Sequence, residues 1–326
     1  MFKYMVAGAA ALFSATSAHA ATIKTDFVFM IDGTSSMAGE IAGVRNGFSS
    51  FVSGLNANNV DARFSVVVFG GQPELILDLT PDATAAQTAL NNVTIGANPG
   101  IQNNHNFNPE ASFETIRMVL GEAPNSELAN NNIPEDGFLN FRSDARINLI
   151  LATDEDSDRA FFAANRPANQ QGGDAPSNGA ASSIWGPWQD EIDATAQAVI
   201  DNNAYLNMLI NRNDAPSIWQ YGDYLKDVAD ADLLNYDAAA TLAALEADPA
   251  TANSAQAQIL RAGLIARTFN IAGANDANFV NNFFAAKLQE VITDPGVDPD
   301  PTDVPAPGGL LLIGIGLLVL RRIVKS

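Results

Sequence analysis

The sequence predicts an α/β fold, a Rossmann-like, doubly wound and mostly parallel sheet with helices on both faces. Two observations predict it. Four short apolar runs, FVFMI (27–31), FSVVVFG (64–70), INLILAT (147–153) and AYLNMLI (204–210), are nearly continuous rather than alternating. Strands covered on both faces read this way. Between them lie segments with apolar residues at helical spacing, and such alternation of strand and helix is how helices come to flank a parallel sheet.

The elements follow in order. After the first strand, IAGVRNGFSSFV (41–52) puts Ile41, Val44, Phe48 and Phe51/Val52 on one helical face. LILDLT (75–80) follows the second strand closely and reads as an edge hairpin strand. PEASFETIRMVL (109–120) aligns Phe113, Ile116 and Val119/Leu120, and QDEIDATAQAVIDN (189–202) is a third helix. LIARTFNIAG (264–273) is a fifth, less regular strand pattern, and ANFVNNFFAAKLQEVI (277–292) is the last helix. Two stretches fall outside this alternation and read as insertions. Residues 155–188 are rich in Gly, Asn, Ala and Asp and end on Trp185 and Trp188, and residues 214–262 are Ala/Asp-rich with helical character. The body of the domain is thus expected over 21–293.

Both ends carry targeting features. Lys3, the apolar VAGAAALF and Ala18-His19-Ala20 have the order of a signal peptide over 1–20, cut between Ala20 and Ala21. At the other end a Pro/Asp-rich linker (294–307) precedes an apolar segment and basic tail (308–326). The run from Gly308 to Leu320 reaches roughly 20 Å as a helix, against ~30 Å of hydrocarbon core. Snorkelling Arg321 and Arg322 narrow the gap. The positive-inside rule then places this tail in the cytoplasm and the body outside it. Val304-Pro305-Ala306-Pro307, the Gly/Leu-rich segment and the terminal arginine pair together resemble the PEP-CTERM sorting signal of Gram-negative bacteria. That resemblance implies export across the inner membrane, processing by an exosortase-type enzyme, and release to the cell surface or an extracellular matrix. A plain C-terminal membrane anchor is the alternative, and it also puts the body outside.

Composition narrows the chemistry. The chain has 326 residues, a formal charge of −20 and 47% hydrophobic residues, too apolar for a disordered acidic chain. The acidic balance argues against nucleic acid as a partner and suits divalent cations. The absence of cysteine excludes disulfides, thiolate zinc sites and thiol nucleophiles. With only His19, in the leader, and His105, a multi-histidine zinc site is excluded as well.

The chemistry concentrates in FVFMIDGTSSMAGE (27–40). Asp32 ends the first strand, Asp154 follows INLILAT, and Glu110 opens the helix after 96–108. Ligands of an open parallel sheet sit at the carboxyl ends of its strands, so these three acids are expected on one rim. Alone they would repel, and a divalent cation with oxygen ligands relieves the conflict. Asp32, Thr34 and Ser36 alternate at i, i+2 and i+4, and neutral hydroxyls coordinate without adding charge. Gly33 lets the backbone come close. Magnesium is the expected ion, with manganese or calcium as alternatives.

Asp32-Gly33-Thr34-Ser35-Ser36 resembles the DxSxS motif of the von Willebrand factor type A domain, where it builds a metal-ion-dependent adhesion site. ARINLILATDEDSD (145–158) is similar to the strand that delivers that family's third-loop aspartate, here Asp154. NFNPEASFETI (106–116) resembles the integrin β-subunit version, whose Pro-Glu pair nominates Glu110, with Asn106 and Asn108 as rival second-loop ligands. The resemblance implies a protein that captures an acidic group of a protein or matrix ligand through its metal, and no enzyme. Glu40, Asp156 and Asp158 are candidates for a second metal site, the two aspartates reading first as a solvated acidic loop. Other readings stay open: a matrix component whose metal only stabilises it, or a hydrolase using paired carboxylates. A haloacid dehalogenase phosphatase would need an aspartate where Met30 stands.

Overall fold

The computed structural model describes residues 22–38, 40–70, 73–93, 110–122, 139–157, 182–210, 217–222, 236–270 and 277–293. All but Thr22 fall in one compact unit, Ile23–Val297. The leader with Ala20 and Ala21 and the tail with Val304, Pro305, Pro307, Arg321 and Arg322 lie outside the described residues. No described helix is long and apolar enough to cross a membrane.

Strands β1 (Ile23–Asp32), β2 (Val60–Phe69), β3 (Glu74–Thr80), β4 (Arg146–Thr153), β5 (Tyr205–Ile210) and β6 (Ala266–Asn270) form one sheet in the order β3-β2-β1-β4-β5-β6. Only the β2–β3 pairing is antiparallel. All five expected strands and the edge hairpin are present. Helices α1 (Glu40–Ala57), α2 (Ala83–Asn92), α3 (Ser112–Val119), α4 (Ser182–Asp201), α5 (Ser217–Tyr221), α6 (Ala238–Ala247), α7 (Ala255–Arg261) and α8 (Ala277–Thr293) cover it.

The central strand shows why its run is unbroken. Phe27, Phe29 and Ile31 enter the apolar layer beneath α1, α2 and α8, while Val28 and Met30 enter the layer beneath α3, α4 and α7. Period-two geometry sends successive side chains to opposite faces, and both faces here are dry. The first layer is aromatic. Phe27 lies edge-on to Phe51 at 5.1 Å, Phe29 to Phe48 at 5.5 Å, and Phe51 stacks on Phe284 at 4.9 Å. Two helix-to-strand turns use asparagine in the left-handed region, Asn59 (φ 56) after α1 and Asn203 (φ 49) after α4. Asparagine tolerates that region better than most residues with a Cβ.

Residues 214–262, which the sequence left unplaced, contain α5, α6 and α7. Trp219, Tyr221, Leu245, Ile259 and Leu260 from these helices are buried in the second layer. Local patterning hid this because α6 is nearly uniformly apolar and alanine-rich, so it has no polar face to mark its orientation.

Buried charge holds the amino end of the sheet. Asp26 is fully buried and accepts hydrogen bonds from the side chains of Arg63 and Arg142 and from the Arg142 backbone N–H. Lys287 of α8 is also fully buried, where it donates to Asn148 of β4 at 2.5 Å and pairs with Glu290. Removing one member of such a pair strands its partner's charge in a low dielectric. Lys287→Met is therefore expected to lower unfolding free energy by about 3–5 kcal/mol. Adding Glu290→Gln should recover part of the loss, which paired denaturant titrations would read.

Candidate metal centre

The strand order reverses between β1 and β4: the chain leaves β1 toward β2 on one side and β4 toward β5 on the other. Connections that diverge in this way open a crevice at the carboxyl ends of the two strands. The parallel register sets Ile31 opposite Ala152, so the residues just beyond them share the same rim. Asp32 is the last residue of β1, and Asp154 follows the last residue of β4.

The loop after β1 folds around the Asp32 carboxylate. Asp32 Oδ1 accepts from the Thr34 backbone N–H at 2.8 Å and from the Thr34 hydroxyl at 2.7 Å. Asp32 Oδ2 accepts from the Thr153 hydroxyl of β4 at 3.0 Å. Thr34 Oγ1 lies 3.1 Å from Ser36 Oγ, which in turn donates to Asp154 Oδ1 at 3.1 Å. The i, i+2, i+4 alternation has thus become a continuous polar chain from one strand end to the other. The end of β2 closes against it. Gly33 N–H donates to Phe69 O at 2.7 Å, and Gly70 sits at φ +104. A Cβ at Gly70 would meet Thr34 Cγ2 at 2.8 Å and Asp32 Oδ1 at 3.3 Å, so only glycine fits without displacing the loop.

Glu110 comes from a third segment, two residues ahead of α3. Its backbone carbonyl accepts from Ser112 N–H at 2.8 Å, and its side chain is buried and hydrogen-bonded to Asp32. One carboxylate oxygen from each of Asp32, Glu110 and Asp154 lies within 4.8 Å of the others. Oxygens facing each other across one magnesium ion are separated by about 4.2 Å, and across calcium by about 4.6–5.2 Å. The span and the all-oxygen donor set therefore fit one hard divalent cation.

Electrostatics agree with the geometry. Burial is the largest cause of a raised pKa at all three acids. Glu110 is pushed up to about 11 by burial, by the Asp32 charge and by its hydrogen bond to Asp32. The same bond and those from Thr34 hold Asp32 down against burial. Without a cation, Glu110 therefore carries the proton and donates it to the Asp32 carboxylate.

A second layer supports these ligands. Ser112 Oγ and Tyr221 Oη are 2.7 Å apart, Ser157 Oγ accepts from Phe113 N–H at 3.0 Å, and Gln220 Oε1 accepts from Ser157 N–H at 2.6 Å. Burial, with the charges of Asp156, Glu110 and Asp32 behind it, pushes the Tyr221 phenol well above its ordinary value.

Asp156 is buried rather than solvated, which departs from the acidic-loop reading, and it stands outside the three-acid cluster. Among the described residues that cluster is the single group of its kind. Asn106, Asn108, His105 and Asp158 lie outside the described residues, as do the side chains of Glu40, Trp185 and Trp188. Sequence reading missed Thr153, Gly70, Gln220 and Tyr221. The first two had a local signal, a hydroxyl beside Asp154 and a glycine at a strand end. The last two had none, since they arrive from the unplaced stretch.

The proton on Glu110 has a measurable consequence. Its folded pKa is raised, so between about 4.5 and about 11 the folded form keeps a proton that the unfolded chain releases. The contribution of Glu110 to cation-free stability is then greatest below that window and falls as pH rises through it, by at most about 1.4 kcal/mol per pH unit. Denaturation in EDTA across pH 5–8 should show this slope, and Glu110→Gln should flatten it.

Comparison with known proteins bears on the same region. A family model described as the von Willebrand factor type A domain matches residues 27–124, which include Asp32, Thr34, Ser36 and Glu110. No curated protein matches the chain. Among solved structures, proximal thread matrix protein 1 from the mussel byssus is similar at 11% identity and a TM-score of 0.39. That alignment covers 81% of this chain and 48% of the mussel protein, so the chain spans about half of its length. The matched segment supports a protein with a von Willebrand factor type A domain, and the mostly parallel six-stranded sheet flanked by helices is the Rossmann-like α/β architecture of that domain.

Proposed function

We propose that this is an exported, surface- or matrix-associated protein that binds one divalent cation, magnesium first, and uses it for adhesion or protein–protein interaction. Asp32, Thr34 and Ser36 hold the ion from the first loop and Glu110 from the second, with Asp154 acting directly or through water. The observation that carries this reading is the meeting of three carboxylate oxygens within 4.8 Å, from chain segments as far apart as 32 and 154. Such an arrangement is costly without a cation among them.

The position of the hydroxyls supports a role beyond stabilisation. Asp32 and Glu110 are buried, whereas Ser36 is exposed and Asp154 is partly so. The cation would therefore be approached from the Ser36–Asp154 side, where an acidic group of a protein or matrix ligand completes its coordination. A glycosidase is less well supported. Its two carboxyl groups flank the scissile bond about 5–9.5 Å apart, whereas Asp32 and Glu110 are hydrogen-bonded to each other. Export rests on the leader and the tail, and so do exosortase-type processing and attachment to the membrane through the C-terminal segment.

Thermal melting of the purified protein with magnesium and with EDTA tests the cation. At a hundredfold excess over its dissociation constant the ion should stabilise the fold by ~2.7 kcal/mol. Asp32→Ala should abolish that increment whatever it does to the baseline. Identical wild-type melting in magnesium and EDTA would defeat the proposal. For the adhesive role, Ser36→Ala should weaken cation-dependent capture of surface material from the producing cell while the fold stays intact. Capture insensitive to both EDTA and Ser36→Ala would leave only a stabilising metal.

A further inference from the structure

The short helix α5 lies far from Asp32 and Glu110 in sequence, yet its last two residues reach the layer directly behind them. Tyr221 shares a 2.7 Å hydrogen bond with Ser112, two residues after Glu110. Gln220 makes two bonds to the backbone of Ser157, three residues after Asp154, accepting from its N–H at 2.6 Å and donating to its carbonyl at 3.2 Å. Ser157 in turn accepts from Phe113 N–H at 3.0 Å, which stitches the loop after β4 to the start of α3. All five residues are buried, so none of these bonds competes with water.

The other end of this brace is equally firm. Tyr221 packs edge-on against Phe113 at 5.1 Å. Gly222, at φ +123, ends α5 so close to α7 that a Cβ there would meet Gln256 Oε1 at 2.3 Å. Gln256 is itself held by β6, donating to Ala266 O at 3.2 Å and accepting from Thr268 Oγ1 at 3.2 Å. A line of buried hydrogen bonds and close packing thus runs from β6 through α7 and α5 to the segments carrying Glu110 and Asp154.

We infer that Tyr221 and Gln220 are positioning residues for the cation site, holding the Glu110 and Asp154 segments at the separation that suits a small divalent ion. The inference rests on the proposed cation reading. Neither residue has an assigned ligand role. They act by fixing where the two acidic segments stand. Magnesium demands near-ideal octahedral geometry and calcium tolerates variation, so a loosened cluster loses magnesium before calcium.

Calorimetric titration of the full chain with Mg2+ and with Ca2+, beside melting in EDTA, tests the brace. Tyr221→Phe keeps the ring on Phe113 and removes only the hydroxyl. It is expected to weaken Mg2+ binding about tenfold, the scale of one lost hydrogen bond. Ca2+ binding should weaken less, so the preference shifts toward calcium. Ser112→Ala removes the same bond from its other end and should behave alike. The double variant should be no worse than either single one, as for two residues sharing one interaction. Ser112→Ala alone decides the matter if Tyr221→Phe does not fold. A Mg2+/Ca2+ preference equal to that of wild type, with or without a lower melting temperature in EDTA, overturns the inference. Wild-type protein that binds neither ion removes the cation site itself, and the brace falls with it; that failure shows before any variant is made.

Discussion

Three carboxyl groups in one partly dry crevice constrain everything around them. Asp32 is fully buried and Glu110 nearly so, and Asp154 stands beside them at the rim. In such a setting like charges repel strongly, because little water screens them. The fold tolerates the arrangement by distributing donors: two from Thr34 and one from Thr153 to Asp32, one from Ser36 to Asp154, and the Glu110 proton shared with Asp32. Every one of these donors is neutral. The hydroxyl and backbone donors hold Asp32 and Asp154 in place without neutralising them, which leaves their charge available to a cation.

The sheet makes this possible by placing its two kinds of buried charge at opposite ends. Asp26 and Asp32 lie on the same strand, six residues and therefore about 20 Å apart. At the amino end Asp26 is met by two arginines, and Lys287 by Glu290, so the charge is compensated within the chain. At the carboxyl end the acids meet mainly hydroxyls and one another. Between the ends lies an apolar stretch covered on both faces. One end of the same strand thus serves stability and the other is arranged to receive a ligand.

Much of the candidate site was legible in the sequence, for identifiable reasons. Asp32 and Asp154 each follow an unbroken apolar run, so strand ends and acids could be read together. Thr34 and Ser36 followed from their spacing, and Glu110 from its place ahead of an amphipathic helix. Asp156 shows where such reading fails. Its neighbours suggested a solvated acidic loop, yet it is buried beside the segment that α5 clamps. Gly70 is similar: a glycine at a strand end suggests a turn, but its use here is to let β2 press against Thr34.

The sequence by itself determined which segments become strands and helices and which acids stand at strand ends, because hydrophobic periodicity and chain order are local properties. The partners of those acids, and what braces them, were decided only by tertiary structure. Ser112 and Tyr221 meet across 109 residues, and Ser36 and Asp154 across 118. A hydrogen bond between residues so distant leaves no trace in the composition or periodicity of either one. Its existence depends on the strand order β3-β2-β1-β4-β5-β6, which brings the ends of β1 and β4 together and carries α5 back to their rim.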